Sequence, residues 1–138
     1  MVTHYPVQQD KGEHSSTFGG NPLSCAAGIA ALKALTEDGL IENSEKMGKI
    51  FREGLEKLKE KHTIIREVRG IGLMIGVEMK FEVRDILMAL IKKGVLMLYS
   101  GRNILRILPP LLISEDDITK VLDTLDTVLT EEEKKLNV

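Results

Sequence analysis

Glu67-Val68-Arg69-Gly70-Ile71-Gly72-Leu73-Met74-Ile75-Gly76-Val77-Glu78 decides the fold. Its apolar content suits strands, and its glycines interrupt what would otherwise be one long strand. They point to a tight turn or bulge between two strands. We expect one strand over residues 64–68, a break at Gly70, and a second strand over 73–79. Downstream, Ile86, Leu87, Leu90 and Ile91 fall on one side of a helix over 83–92, and Gly94 is placed to cap it. Residues 95–99 and 104–108 read as two more strands joined across Ser100-Gly101-Arg102-Asn103, with Pro109-Pro110 stopping the second. Ser114 can cap a final helix whose first turn holds Glu115, Asp116 and Asp117 at its positive end. Its apolar stripe is Ile118, Val121, Leu122, Leu125, Val128 and Leu129, and residues 130–138 are expected to fray.

Upstream, residues 1–20 have no helical or strand period and read as an arm or loop. Asn21 is a good N-cap and Pro22 suits the first helical position, so a helix is expected from there to about residue 35 or 36. Its body is rich in Ala26, Ala27, Gly28, Ala30 and Ala31, which suits tight helix packing or a subunit contact. A second helix over 40–61 carries Ile41, Met47, Ile50, Leu55 and Leu58 at helical spacing, with a solvated Glu and Lys face. His62 sits at its end, where a cation suits the helix dipole. The expected organisation is an arm (1–20), then an α+β domain (21–138). Two helices are followed by strand, strand, helix, strand, strand, helix. The helices pack on a small, largely antiparallel sheet.

The 138 residues suffice for one domain with a substantial core, without metal or disulfide staples. Lys plus Arg number 19 and Asp plus Glu 21, giving a net charge of −2. With a pI near 5.9, generic nucleic-acid binding is not expected. Cys25 is the sole cysteine, so an intrachain disulfide is excluded and a cysteine zinc site is not expected. A reducing, cytoplasmic location fits. No apolar run approaches the roughly 20 residues of a spanning helix, so no membrane segment is expected.

Three strings carry chemistry. Gly12-Glu13-His14-Ser15-Ser16-Thr17-Phe18-Gly19-Gly20-Asn21-Pro22 is a loop entering a helix. The hydroxyls of Ser16 and Thr17 and the free backbone N–H groups suit a phosphate oxygen, although an ordinary polar loop would read the same way. In the glycine-rich stretch, Arg69 and Glu78 could touch a ligand, with surface or strand-end pairing as the alternative role. In Asn103-Ile104-Leu105-Arg106-Ile107-Leu108-Pro109-Pro110, Arg106 is a lone cation inside an apolar strand. Its planar fork matches a carboxylate, whether from a ligand or from a structural ion pair.

Together these strings resemble the C-terminal part of class III pyridoxal-phosphate aminotransferases, of the acetylornithine type, over residues 12–129. The resemblance implies the small C-terminal domain of the fold-type I aminotransferases. It implies that Thr17, helped by Ser16, contacts the phosphate of pyridoxal phosphate in a neighbouring subunit. It also implies that Arg106 binds the substrate α-carboxylate, or pairs with an acidic residue of the large domain between half-reactions. The complete enzyme would move an amino group between an ω-amino acid derivative and 2-oxoglutarate.

One departure bears on activity. Transamination needs a lysine that forms a Schiff base with the cofactor. In the family that lysine lies further upstream of the Thr17 motif than these residues reach, and Lys11 has the wrong spacing. No catalytic residue is therefore assigned, and these residues alone are expected to bind no cofactor and to be inactive. Alternatives are one half of a split aminotransferase, completed by a separately encoded large-domain chain, or a stand-alone small-molecule-binding regulatory module. Exposed small and apolar residues on the first helix suggest a homo-oligomer.

Overall fold

Gly72 and Leu73 form the two-residue turn of a hairpin between β1 (Ile65–Ile71) and β2 (Met74–Met79), closed by the Ile71–Met74 pair. Gly72 takes φ +51°, as such turns require. In this computed structural model, which describes residues 17–136, Gly70 does not break β1 as expected. It stays paired with Ile75, and a Cβ there would lie 2.2 Å from the Met74 carbonyl oxygen. Glycine lets the strand continue in close pairing, and the turn falls two residues later.

The described residues fall into two compact units, divided between Asp38 and Gly39. In the first, α1 (Pro22–Glu37) begins at Asn21, whose side chain accepts from the Ser24 N–H at 3.0 Å and donates to the Phe18 carbonyl at 2.8 Å. The expected cap is therefore formed. Ser16 and most of the expected arm lie outside the described residues.

The second unit holds α2 (Leu40–Lys61), the hairpin, α3 (Arg84–Lys92), β3 (Leu98–Ser100), β4 (Ile104–Ile107) and α4 (Glu115–Leu136). The four strands form one antiparallel sheet in the order β1-β2-β4-β3. One face presents Ile75, Val77, Met79, Leu105 and Ile107 to a core completed by Phe51 and Leu55 of α2, Ile86 and Leu90 of α3, and Ile118, Leu125 and Leu129 of α4. Alternation along the strands leaves Met74, Arg106 and Leu98 exposed on the other face. Close backbone approach positions the hairpin: a Cβ on Gly48 of α2 would sit 2.1 Å from the Gly72 carbonyl oxygen. Among the described residues, no helix is long and apolar enough to cross a membrane.

Two boundaries differ from expectation. The strand expected over 95–99 starts only at Leu98, because the Val95 N–H is already bonded to the Leu90 carbonyl at 2.9 Å. With the Gly94 N–H on Ile91 and Gly94 at φ +85°, this is a Schellman closure of α3. α4 does not fray at residue 130 but continues to Leu136. Val128, Leu129 and Glu132 are buried on it, and Glu131 pairs with Lys93 beyond α3 at 3.0 Å. Its start follows expectation: the Ser114 hydroxyl accepts from the Asp117 N–H and donates to the Asp117 carboxylate.

Candidate functional site

The register of the sheet sets one row of residues across the open face. Leu98 on β3 opposes Arg106 on β4, Arg106 opposes Gly76 on β2, and Gly76 opposes Arg69 on β1. Arg106 is thus flanked by an apolar side chain on one side and by bare backbone on the other. A depression of about 360 Å³ lies here, lined by Arg69, Met74, Gly76, Ser100, Ile104 and Arg106, among others. A Cβ on Gly76 would only reach ordinary contact with Ile104 at 3.5 Å, so the space above Gly76 is open.

The electrostatics of this face are uneven. Arg69 donates to Glu78 and Glu67, each at 2.8 Å, and Arg66 donates to Glu78 at 3.0 Å. Hydrogen bonding to Glu78, then the nearby Glu67 charge, holds the Arg69 guanidinium above its ordinary pKa despite partial desolvation. Hydrogen bonds from Arg69 and Arg66 hold the Glu78 carboxyl below the usual carboxylate range. Arg69 and Glu78 are thus paired with each other across the hairpin.

All three strand arginines are exposed, but for Arg106 no carboxylate among the described residues lies within ion-pair distance. The structural ion pair that the sequence left open is not made within these residues. What remains is a charged planar fork on an open sheet face beside a backbone floor, an arrangement suited to a carboxylate.

Thr17 lies in the first unit, exposed in the turn before α1. It is one hydroxyl, and the first described lysine or arginine after it is Lys33 on α1. Its hydroxyl can donate one hydrogen bond to an anion. Among the described residues, no cluster of His, Cys, Asp or Glu has metal-ligating geometry.

A second hollow of about 300 Å³ lies at the start of α3, lined by Glu82, Arg84, Tyr99 and Arg102, among others. These four side chains are exposed, and among the described residues no buried polar side-chain atom lacks a partner. The sequence reading missed Gly76, whose importance depends on register with β4, and the surroundings of His62. The ring of His62 is buried and contacts Asp126 and Glu133 of α4.

The sequence profile of the family described as Aminotransferase class-III matches residues 2–129. The acetylornithine aminotransferase of Caldanaerobacter subterraneus subsp. tengcongensis is 50% identical over 121 residues, covering 87% of this chain and 31% of that protein. Ornithine aminotransferase 1 of Staphylococcus saprophyticus is 42% identical over 118 residues, covering 86% and 29%. Among solved structures, acetylornithine aminotransferase from Elizabethkingia anophelis superposes with a TM-score of 0.80 at 36% identity, covering 89% of this chain and 33% of that one. Plasmodium falciparum ornithine delta-aminotransferase gives 0.84 at 31% identity, covering 92% and 34%. The chain spans about a third of the length of these relatives.

Proposed function

The chain belongs to the class III aminotransferases, and from that premise we propose that its residues are the small-domain segment of an enzyme acting on acetylornithine- or ornithine-type amino donors. The amino acceptor is 2-oxoglutarate. Residues 21–138 are the small domain in this reading, and residues 12–35 supply its arm and packing helix. The supporting observation is Arg106: an arginine on an open sheet face, beside the backbone of Gly76, with no carboxylate partner among the described residues.

Arg106 binds the α-carboxylate through paired N–H donors, and its strand fixes where the rest of the substrate points. Between half-reactions it pairs with an acidic residue supplied from outside these residues. Ser16 and Thr17 donate hydroxyl hydrogen bonds to the cofactor phosphate in a neighbouring subunit. Pyridoxal phosphate, when bound, supplies the electron sink for the chemistry. The lysine that must anchor it is not among these residues in this reading, so they are inactive alone. They act in a cytoplasmic oligomer, joined to large-domain residues.

The test is reconstitution. The 138-residue polypeptide is mixed with a polypeptide carrying the remaining two-thirds of the Caldanaerobacter relative. Transamination of N-acetylornithine with 2-oxoglutarate is then assayed. Activity should appear in the mixture and in neither part alone. Activity of the 138 residues by themselves would overturn the reading.

A further inference from the structure

His62 ends α2, and its ring is buried, with the side chain 2% exposed. Both ring nitrogens face carboxylates of α4. Nε2 lies 2.6 Å from Asp126 Oδ1 and Nδ1 lies 2.8 Å from Glu133 Oε2. Asp126 and Glu133 are seven residues apart, so they lie two turns apart on one helix face. The other charged group at the cluster is Lys61 of α2, which donates to both oxygens of Asp126 at 2.7 and 2.6 Å. Thr63, leading into β1, donates its hydroxyl to Glu133 at 3.4 Å. Among the described residues, no other charged side chain is hydrogen-bonded or ion-paired to the ring or to these two carboxylates.

The chemistry of this arrangement is restrictive. An ionised carboxylate only accepts hydrogen bonds, so two carboxylates on one imidazole require two N–H donors. The ring must then carry both protons, and Lys61 and His62 balance Asp126 and Glu133. If the ring loses one proton, a bare nitrogen lone pair faces a carboxylate oxygen in a buried site. One bond must then break, and a buried polar atom without a partner is costly.

We propose that His62, Asp126 and Glu133 form a proton-controlled lock between the end of α2 and the last turns of α4. With the ring doubly protonated, both bonds hold and the helix from Asp126 onward is pinned. With the ring neutral, one bond is lost and that end of α4 opens more readily. The inference is independent of the role assigned to Arg106.

The experiment uses the full 138-residue chain. Ring ¹⁵N shifts of His62 and amide-exchange protection factors for residues 126–136 are measured across the same pH series. The expected result is a doubly protonated ring while those amides are protected, and a fall in protection of about tenfold at the ring's midpoint. His62→Gln should keep the helical circular dichroism but lose the pH step. Should His62→Gln fail to fold, Asp126→Asn provides the second variant, and protection of residues 126–136 should already be lowered at the acidic end of the series because one anionic partner of the ring is gone. A neutral ring tautomer alongside full protection would overturn the proposal. So would titration of the ring with protection unchanged, the same step surviving in His62→Gln, or parental protection in Asp126→Asn.

Discussion

Arg106 on β4 and Gly76 on β2 are directly opposed across the ladder, on the sheet face turned away from the core. The absence of a side chain at position 76 leaves room for a ligand group beside the guanidinium. Gly76→Val should fill that room without disturbing the fold, since its Cβ meets only ordinary contacts and valine suits a strand. We expect a thermal midpoint unchanged or raised in the isolated polypeptide, together with a KM raised at least about tenfold in the reconstituted enzyme. A large loss of thermal stability would contradict the open-floor geometry.

Helix α2 meets the sheet and α4 through two glycines of unequal tolerance. A Cβ on Gly48 collides with the Gly72 backbone at 2.1 Å, whereas a Cβ on Gly54 collides with the end of the Leu122 side chain. Backbone cannot give way as a side-chain end can. Gly48→Ala should therefore cost about 1–3 kcal/mol by overpacking. Gly54→Ala should stay within about 1 kcal/mol of neutral, because the helix gains from losing a glycine. Urea denaturation of both variants checks the order.

Acid should loosen the α2–α4 junction too. Hydrogen bonds from Lys61 and then His62 hold the Asp126 carboxyl below its ordinary range. For Glu133, burial pushes the carboxyl up, but the His62 hydrogen bond and charge, with backbone N–H donors of Ile64 and Thr63, outweigh it and leave it lowered. A carboxyl with a depressed folded pKa stabilises the fold above its unfolded value near 4, and that stability is lost as pH falls through the folded value. Stability measured by denaturation should therefore decline below about pH 4. Asp126→Asn should flatten part of that decline and lower the stability at neutral pH.

Helix α1 exposes Leu23, Ile29 and Leu32, and none of its residues is buried. Apolar surface of this kind favours self-association. Sedimentation velocity at high concentration should show dimers or larger species, and Ile29→Glu should shift them toward monomer. Only monomer at every concentration would count against the oligomer.

The four helices and the hairpin were legible because their signals are local. Asn21-Pro22 opens α1, Ser114 with Asp117 opens α4, and the glycines cluster where the chain turns. The misses share a different cause. Val95 looks like a strand residue, but its N–H is committed to closing α3. Residues 130–136 look solvated and frayed, yet they are held by partners far away in sequence, such as His62 to Glu133. Arg106 was singled out from its apolar surroundings. Its exposure and its pairing with Gly76 required the register between β2 and β4, which local composition does not encode.

Borohydride reduction of the 138-residue polypeptide with pyridoxal phosphate tests the absence of an anchoring lysine. Mass spectrometry should find low, scattered pyridoxyl labelling across the exposed lysines. Stoichiometric labelling of one lysine would place the anchor within these residues.

The most direct test of the central claim is the Arg106→Gln variant in the reconstituted enzyme. Steady-state kinetics should show KM raised by about tenfold or more for both N-acetylornithine and 2-oxoglutarate, because each loses a charge-assisted carboxylate contact. The variant's circular dichroism and thermal midpoint should match those of the parent chain. Unchanged KM and kcat for both substrates would contradict the assignment of Arg106 as the carboxylate-binding residue.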